Sequence, residues 1–127
     1  MLVLGGRLFF TSDCFQVYTT DDPAAPASNW SKVADLKEYK DPCLFLDGDK
    51  VYMYYGAGPN LGLHAVQLDP ANGWKEVGQP FSTIPPQLYH MIGWDNRGDN
   101  NTGDPKEPTK PPSIEGSWMS ERNGTYY

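Results

Sequence analysis

Several classes of protein are excluded by what this sequence of 127 residues lacks. It has only two cysteines, Cys14 and Cys43, at a separation no spacing rule connects, and they read as buried free thiols rather than a disulfide. It has only two histidines, His64 and His90, far apart. Zinc sites need close ligand pairs, so no metal site is expected, and no cofactor is implied. Lys and Arg form no cluster, and the net charge is −6 with a pI near 4.7. Such a surface repels a phosphate backbone, which argues against a nucleic-acid partner. No apolar run approaches the ~20 residues that cross a bilayer, so no membrane role is expected. Met1 to Phe10 is apolar but lacks a charged leader and a small-residue cleavage site, and does not read as a signal peptide. No stretch keeps a helical period.

Aromatic and turn-forming residues are plentiful. Eight Tyr, five Phe and four Trp accompany 13 Gly and 12 Pro, a composition of short strands and frequent turns. Strand-like runs occur at Arg7–Thr11, Phe15–Thr20, Cys43–Leu46, Lys50–Tyr55 and Leu63–Leu68. Asp47-Gly48 between two of them signals a hairpin. The polar stretch from Asp95 to Pro112 reads as one long loop.

The order of these pieces repeats. Gly5-Gly6-Arg7-Leu8-Phe9-Phe10, Val17-Tyr18, Asp22-Pro23 and Trp30-Ser31-Lys32-Val33 are followed by Gly48-Asp49-Lys50-Val51-Tyr52, Ala65-Val66, Asp69-Pro70 and Trp74-Lys75-Glu76-Val77. Trp30 and Trp74 stand 44 residues apart, the period of propeller blades. A second correspondence sets Asp41, eleven residues before Tyr52, beside Glu115, eleven residues before Tyr126. Each acid precedes apolar residues, a polar turn and an aromatic strand. Equivalent places in successive blades converge on one axis, so the two carboxylates are expected at one end of a central channel. Like charges held close raise one another's pKa, which can keep one acid protonated.

The runs Lys40-Asp41-Pro42-Cys43-Leu44-Phe45 and Glu115-Gly116-Ser117-Trp118-Met119, the latter followed by Asn123-Gly124-Thr125-Tyr126-Tyr127, resemble second- and third-blade signatures of glycoside hydrolase family 43. His90-Met91-Ile92-Gly93-Trp94 and the Asn-rich loop after it also resemble some members. The resemblance covers nearly the whole chain. It implies an all-β, partial five-bladed β-propeller: the end of blade one, blade two and the start of blade three, with residues 1–127 a fragment of a single domain truncated at both ends. The implied activity is inverting hydrolysis of O-glycosidic bonds in plant-type polysaccharides or oligosaccharides (arabinan, xylan or galactan), with secretion or a periplasmic location implied by such substrates.

By motif, Glu115 matches the general acid and Asp41 the residue that tunes its pKa. Trp94, Trp118 and His90 are candidate carbohydrate-binding residues. Each has a plainer reading: Trp94 as a plug at a blade junction, Trp118 as core, His90 as a structural hydrogen-bonding group. The general base departs from the pattern. If Leu8 matches Tyr52, that acid belongs upstream of Met1, and Asp13, Asp21 and Asp22 are out of register and read as turn residues. The isolated chain is therefore expected to be poorly stable and inactive. Two alternatives remain: a non-catalytic carbohydrate-binding propeller, and a relative of the invertase-like β-fructosidases. In the latter an Arg precedes Asp-Pro and a Cys follows the Glu, where this chain has Lys40 and Gly116.

Overall fold

A computed structural model describes residues 1–11, 14–24, 26–58, 61–86 and 113–127. The described chain is all-β apart from two single-turn 3-10 segments, Ala27–Asn29 and Pro70–Asn72. Strands β1 (Leu2–Leu4), β2 (Arg7–Thr11), β3 (Cys14–Thr20) and β4 (Ser31–Tyr39) form one antiparallel sheet in that order. Strands β5 (Cys43–Asp47), β6 (Lys50–Tyr55), β7 (Leu63–Asp69) and β8 (Lys75–Ile84) form a second in the same order. Strands β9 (Glu121–Arg122) and β10 (Thr125–Tyr126) make a separate hairpin.

Both four-stranded sheets are simple meanders, and their parts correspond as the sequence repeat requires. Their first hairpins turn on two residues, Gly5-Gly6 and Gly48-Asp49. Both Gly5 and Gly6 have positive φ, as does the Asn123-Gly124 pair of the third hairpin, which is the backbone that matches strand twist in a tight turn. Each Asp-Pro then closes a local turn with its carboxylate. Asp22 Oδ1 accepts from the Ala24 N–H at 2.9 Å, and Asp69 Oδ1 accepts from the Ala71 N–H at 3.0 Å. A tryptophan leads into each fourth strand, Trp30 before β4 and Trp74 before β8.

The hairpin signalled by Asp-Gly forms between β5 and β6. Asp47-Gly48 was the signal, but Asp47 pairs with Lys50 and the loop is Gly48-Asp49. Gly48 takes the positive φ of 59° as the first loop residue, and Asp47 is left free to accept a hydrogen bond from the Tyr126 hydroxyl at 2.7 Å.

The core lies between the two sheets. Period-2 alternation sends Leu2, Phe9 and Val17 from the first sheet and Leu44, Val51, Met53, Val66 and Leu68 from the second into one cluster. Val17, Met53 and Val66 have no exposed surface. Trp74, 4% exposed, reaches across from the second unit to Phe9 of the first, with ring centroids 5.1 Å apart. At the outer strands, the Tyr39 hydroxyl of β4 donates to Glu76 Oε1 of β8 at 2.6 Å, and Lys37 pairs with the same carboxylate. Burial, then the bond to Glu76, raises the Tyr39 hydroxyl pKa. Burial also pushes the Glu76 carboxyl up, but hydrogen bonds from Lys37 and Tyr39 outweigh it and leave the group below its ordinary value.

The first strands of the successive units are neighbours. Strand β1 lies beside β5, and the third hairpin rests on the far side of β5, where Tyr126 meets Phe45 edge to face at 6.0 Å.

Candidate active site

Asp41 stands in the short link between β4 and β5. Its link is pinned from behind, since the Gly56 N–H donates to the Lys40 carbonyl at 2.8 Å. Asp41 has a φ of 47°, a left-handed backbone that Asp tolerates better than most residues and that still costs energy. Its side chain is exposed and turned toward the third unit. There Asp41 Oδ2 accepts from the Gly116 N–H at 3.1 Å.

That hydrogen bond spans 75 residues and joins the two sequence motifs. Glu115, the residue before Gly116, is exposed. The segment that carries it is not a strand: it runs irregularly from Ile114 to Ser120, anchored by the buried Ile114 and Ser117. Ser117 Oγ is buried with no hydrogen-bond partner among the described residues. Trp118 is 77% exposed. His90 and Trp94, and the whole of the expected Asp95–Pro112 loop, lie outside the described residues.

The basis for pairing the acids needs one correction. Asp41 and Glu115 are 74 residues apart, but the turns Gly48-Asp49 and Asn123-Gly124 are 75 apart. Matched by their turns, Tyr126 falls opposite Val51 rather than Tyr52. A one-residue slip reverses a strand's faces, and no strand register runs from Glu115 to β9 to carry the match. The two segments are joined by the Asp41–Gly116 bond, not by equivalent strand positions. The same shift applies to the first unit, where Leu8 corresponds to Val51.

A concavity missed in the sequence adjoins this place. It encloses ≈ 330 Å³ between Glu38, Lys40, Tyr55 and His64 at the Asp41 end of the second sheet. Tyr55 and His64 are cross-strand partners on β6 and β7, and their rings stack at 5.9 Å and 28°. Gly56 and Gly62 close its floor. Each has positive φ, and a Cβ on Gly62 would collide with the Ile84 carbonyl. The available signal was the alternation of β6, which places Tyr55 at the strand end beside the Asp41 link, where it also packs against the core and meets Tyr39 at 4.7 Å.

The arrangement offers an exposed carboxylate held by a backbone N–H, a second exposed carboxylate one residue from that contact, an exposed indole three residues further on, and a stacked aromatic pair in a hollow nearby. Carboxylates supply acid–base groups, and flat aromatic faces suit the apolar faces of sugar rings. Among the described residues, no three His, Cys, Asp or Glu side chains gather as a metal site, and no helix is long and apolar enough to cross a membrane. Comparison with protein-family models, characterised proteins and solved structures finds no match to this chain.

Proposed function

We propose that these residues form part of an inverting glycosidase built as a five-bladed β-propeller of the family 43 type, acting on plant-type polysaccharides or oligosaccharides. The observation that supports the reading is the Asp41–Gly116 hydrogen bond, which joins the two motif segments from different units. The ring is supported by two consecutive four-stranded meanders that pack face to face in the same order, with β1 beside β5 and the third hairpin beyond it.

On this reading Glu115 protonates the leaving oxygen, and Asp41 fixes the Glu115–Gly116 peptide by accepting from the Gly116 N–H. Trp118 forms a wall for a sugar ring, and Tyr55 with His64 offers a further platform. Asp22 is committed to its turn, where Oδ1 accepts from the Ala24 N–H, and no described acid is assigned as the general base. The site binds carbohydrate, and an extracytoplasmic location follows from polysaccharide substrates.

A screen of the complete enzyme on arabinan, xylan and galactan, with the anomer of the first product followed by proton NMR, tests this reading. Hydrolysis with inversion is expected. Hydrolysis with retention would favour the β-fructosidase-like mechanism. Binding without hydrolysis would favour a carbohydrate-binding propeller.

A further inference from the structure

The third unit is tied to the second at both ends of β5. Before the strand begins, Asp41 accepts from the Gly116 N–H at 3.1 Å, one residue from Glu115. Where the strand ends, the Tyr126 hydroxyl donates to Asp47 Oδ1 at 2.7 Å, and the Tyr126 ring meets Phe45 edge to face. Between the two contacts the chain is stiff on one side only. Ser120 and Tyr127 exchange backbone hydrogen bonds at 3.0 and 2.9 Å, and the Glu121 carboxylate accepts from the Gly124 N–H in the turn. From Glu115 to Ser120 no ladder forms, so the acid takes its place from the buried Ser117, the bond at Gly116 and the hairpin that follows.

The repeat shows what is particular about the Tyr126 contact. Matched by their turns, Leu2 and Leu4 of β1 stand where β5 has Phe45 and Asp47, and Val51 stands where the third hairpin has Tyr126. At the first junction Leu2 and Val51 are buried in one cluster and Leu4 packs against it. Such apolar packing is non-directional. At the second junction the equivalent places hold a carboxylate and a phenol joined by a hydrogen bond, which has a preferred geometry. The oriented contact therefore stands at the junction that carries Asp41 and Glu115. The bond to Asp47 also raises the Tyr126 hydroxyl pKa, so the group remains a donor through the neutral range.

We propose that Tyr126 and Asp47 are a positioning pair for Glu115: their bond holds the third hairpin in the orientation that keeps the Glu115–Gly116 peptide on Asp41. Neither residue takes part in the chemistry. The catalytic consequence rests on the glycosidase reading, whereas the coupling between the two contacts does not.

Two measurements on the full-length protein test it. Tyr126→Phe keeps the ring beside Phe45 and removes only the hydroxyl. Hydrogen exchange at the Gly116 amide, followed by NMR, should quicken at least about fivefold while the amides of β6 and β7 keep their rates. Asp47→Ala should do the same, and Asp47→Asn, which keeps an acceptor oxygen, should stay close to the wild type. On an oligosaccharide, Tyr126→Phe should lower kcat about tenfold with KM unchanged. On a dinitrophenyl glycoside of the same sugar, whose departure needs no proton, the rate should change little. A merely structural contact would lower both rates alike. Wild-type exchange at Gly116 in Tyr126→Phe, or equal losses on the two substrates, would overturn the proposal. Failure of the glycosidase reading shows separately, as an unaltered protein that hydrolyses neither substrate, and Gly116 exchange then decides whether the two contacts are coupled.

Discussion

Replacing Trp74 and Trp30 one at a time compares two residues that hold the same place in the repeat and differ in what covers them. Trp74 is 4% exposed and packs on Phe9 across the inter-sheet core. A buried Trp removes about 150–250 Å² from water, and at ~25 cal/mol per Å² this is worth roughly 4–6 kcal/mol as an upper bound. Measured Trp→Ala losses in cores run at about 3–5 kcal/mol, which is the cost expected of Trp74→Ala. Trp30 is half-buried, so Trp30→Ala should cost about 1 kcal/mol or less. Backbone strain adds a second signature. Trp74 has a φ of 63°, which a glycine adopts freely, so Trp74→Gly should be no less stable than Trp74→Ala although it removes one more carbon. The assay is urea unfolding followed by circular dichroism at low protein concentration. With a urea m-value of about 2 kcal/mol per M, Trp74→Ala lowers the midpoint by about 1.5–2.5 M, or leaves the chain unfolded without denaturant. Equal losses at the two positions would refute the claim that the core lies between the sheets.

Two other perturbations address the same framework. Tyr39→Phe removes the hydroxyl that bonds to Glu76 between the sheets and should cost about 1–2 kcal/mol in the same assay. Glu76 has a folded pKa below its ordinary value of 4.5, so its contribution is fully present above the unfolded value and is lost as the pH falls through the folded one. Glu76→Gln should flatten the acid side of the stability profile, and an unchanged acid limb would remove the pair from the account. Gly62→Ala should destabilise by about 2 kcal/mol or more, because the new methyl group meets the Ile84 carbonyl at a φ of 69°. A neutral result in thermal unfolding would show that the floor of the Tyr55–His64 hollow yields easily.

The inner strands were legible because they are dense in aromatic and β-branched residues. Arg7–Thr11 and Lys50–Tyr55 are found at the positions expected, and β3, β5 and β7 differ from their expected spans by one residue. The outer strands were not recognised as strands. Residues of β4 and β8 are mostly exposed and polar, and β8 contains Gly78 and Pro80, which an edge strand tolerates and a central one does not. Their alternation is weak because one flank has no hydrogen-bonded neighbour. The repeat itself was readable from turn chemistry: Gly-rich hairpins, Asp-Pro turns and the Trp before each last strand reappear as structural equivalents.

How the two motif segments meet was not legible in the sequence. Spacing alone set Asp41 beside Glu115, whereas a side chain-to-backbone bond to Gly116 joins their segments. Such a bond depends on the left-handed turn at Asp41 and on Gly116, whose φ is 73°, and no strand periodicity encodes it. The hollow at Tyr55 and His64 depends on cross-strand pairing of residues nine apart in sequence, which becomes visible only once β6 and β7 are in register.

The central claim rests on Glu115 as the acid. Its most direct test is Glu115→Gln in the complete enzyme, assayed on an oligosaccharide and on a dinitrophenyl glycoside of the same sugar. A general acid matters only when the leaving group needs a proton. The account predicts a loss of roughly 10²–10⁴-fold on the oligosaccharide and little change on the dinitrophenyl substrate. Wild-type rates on both substrates, or equal losses on both, would contradict it.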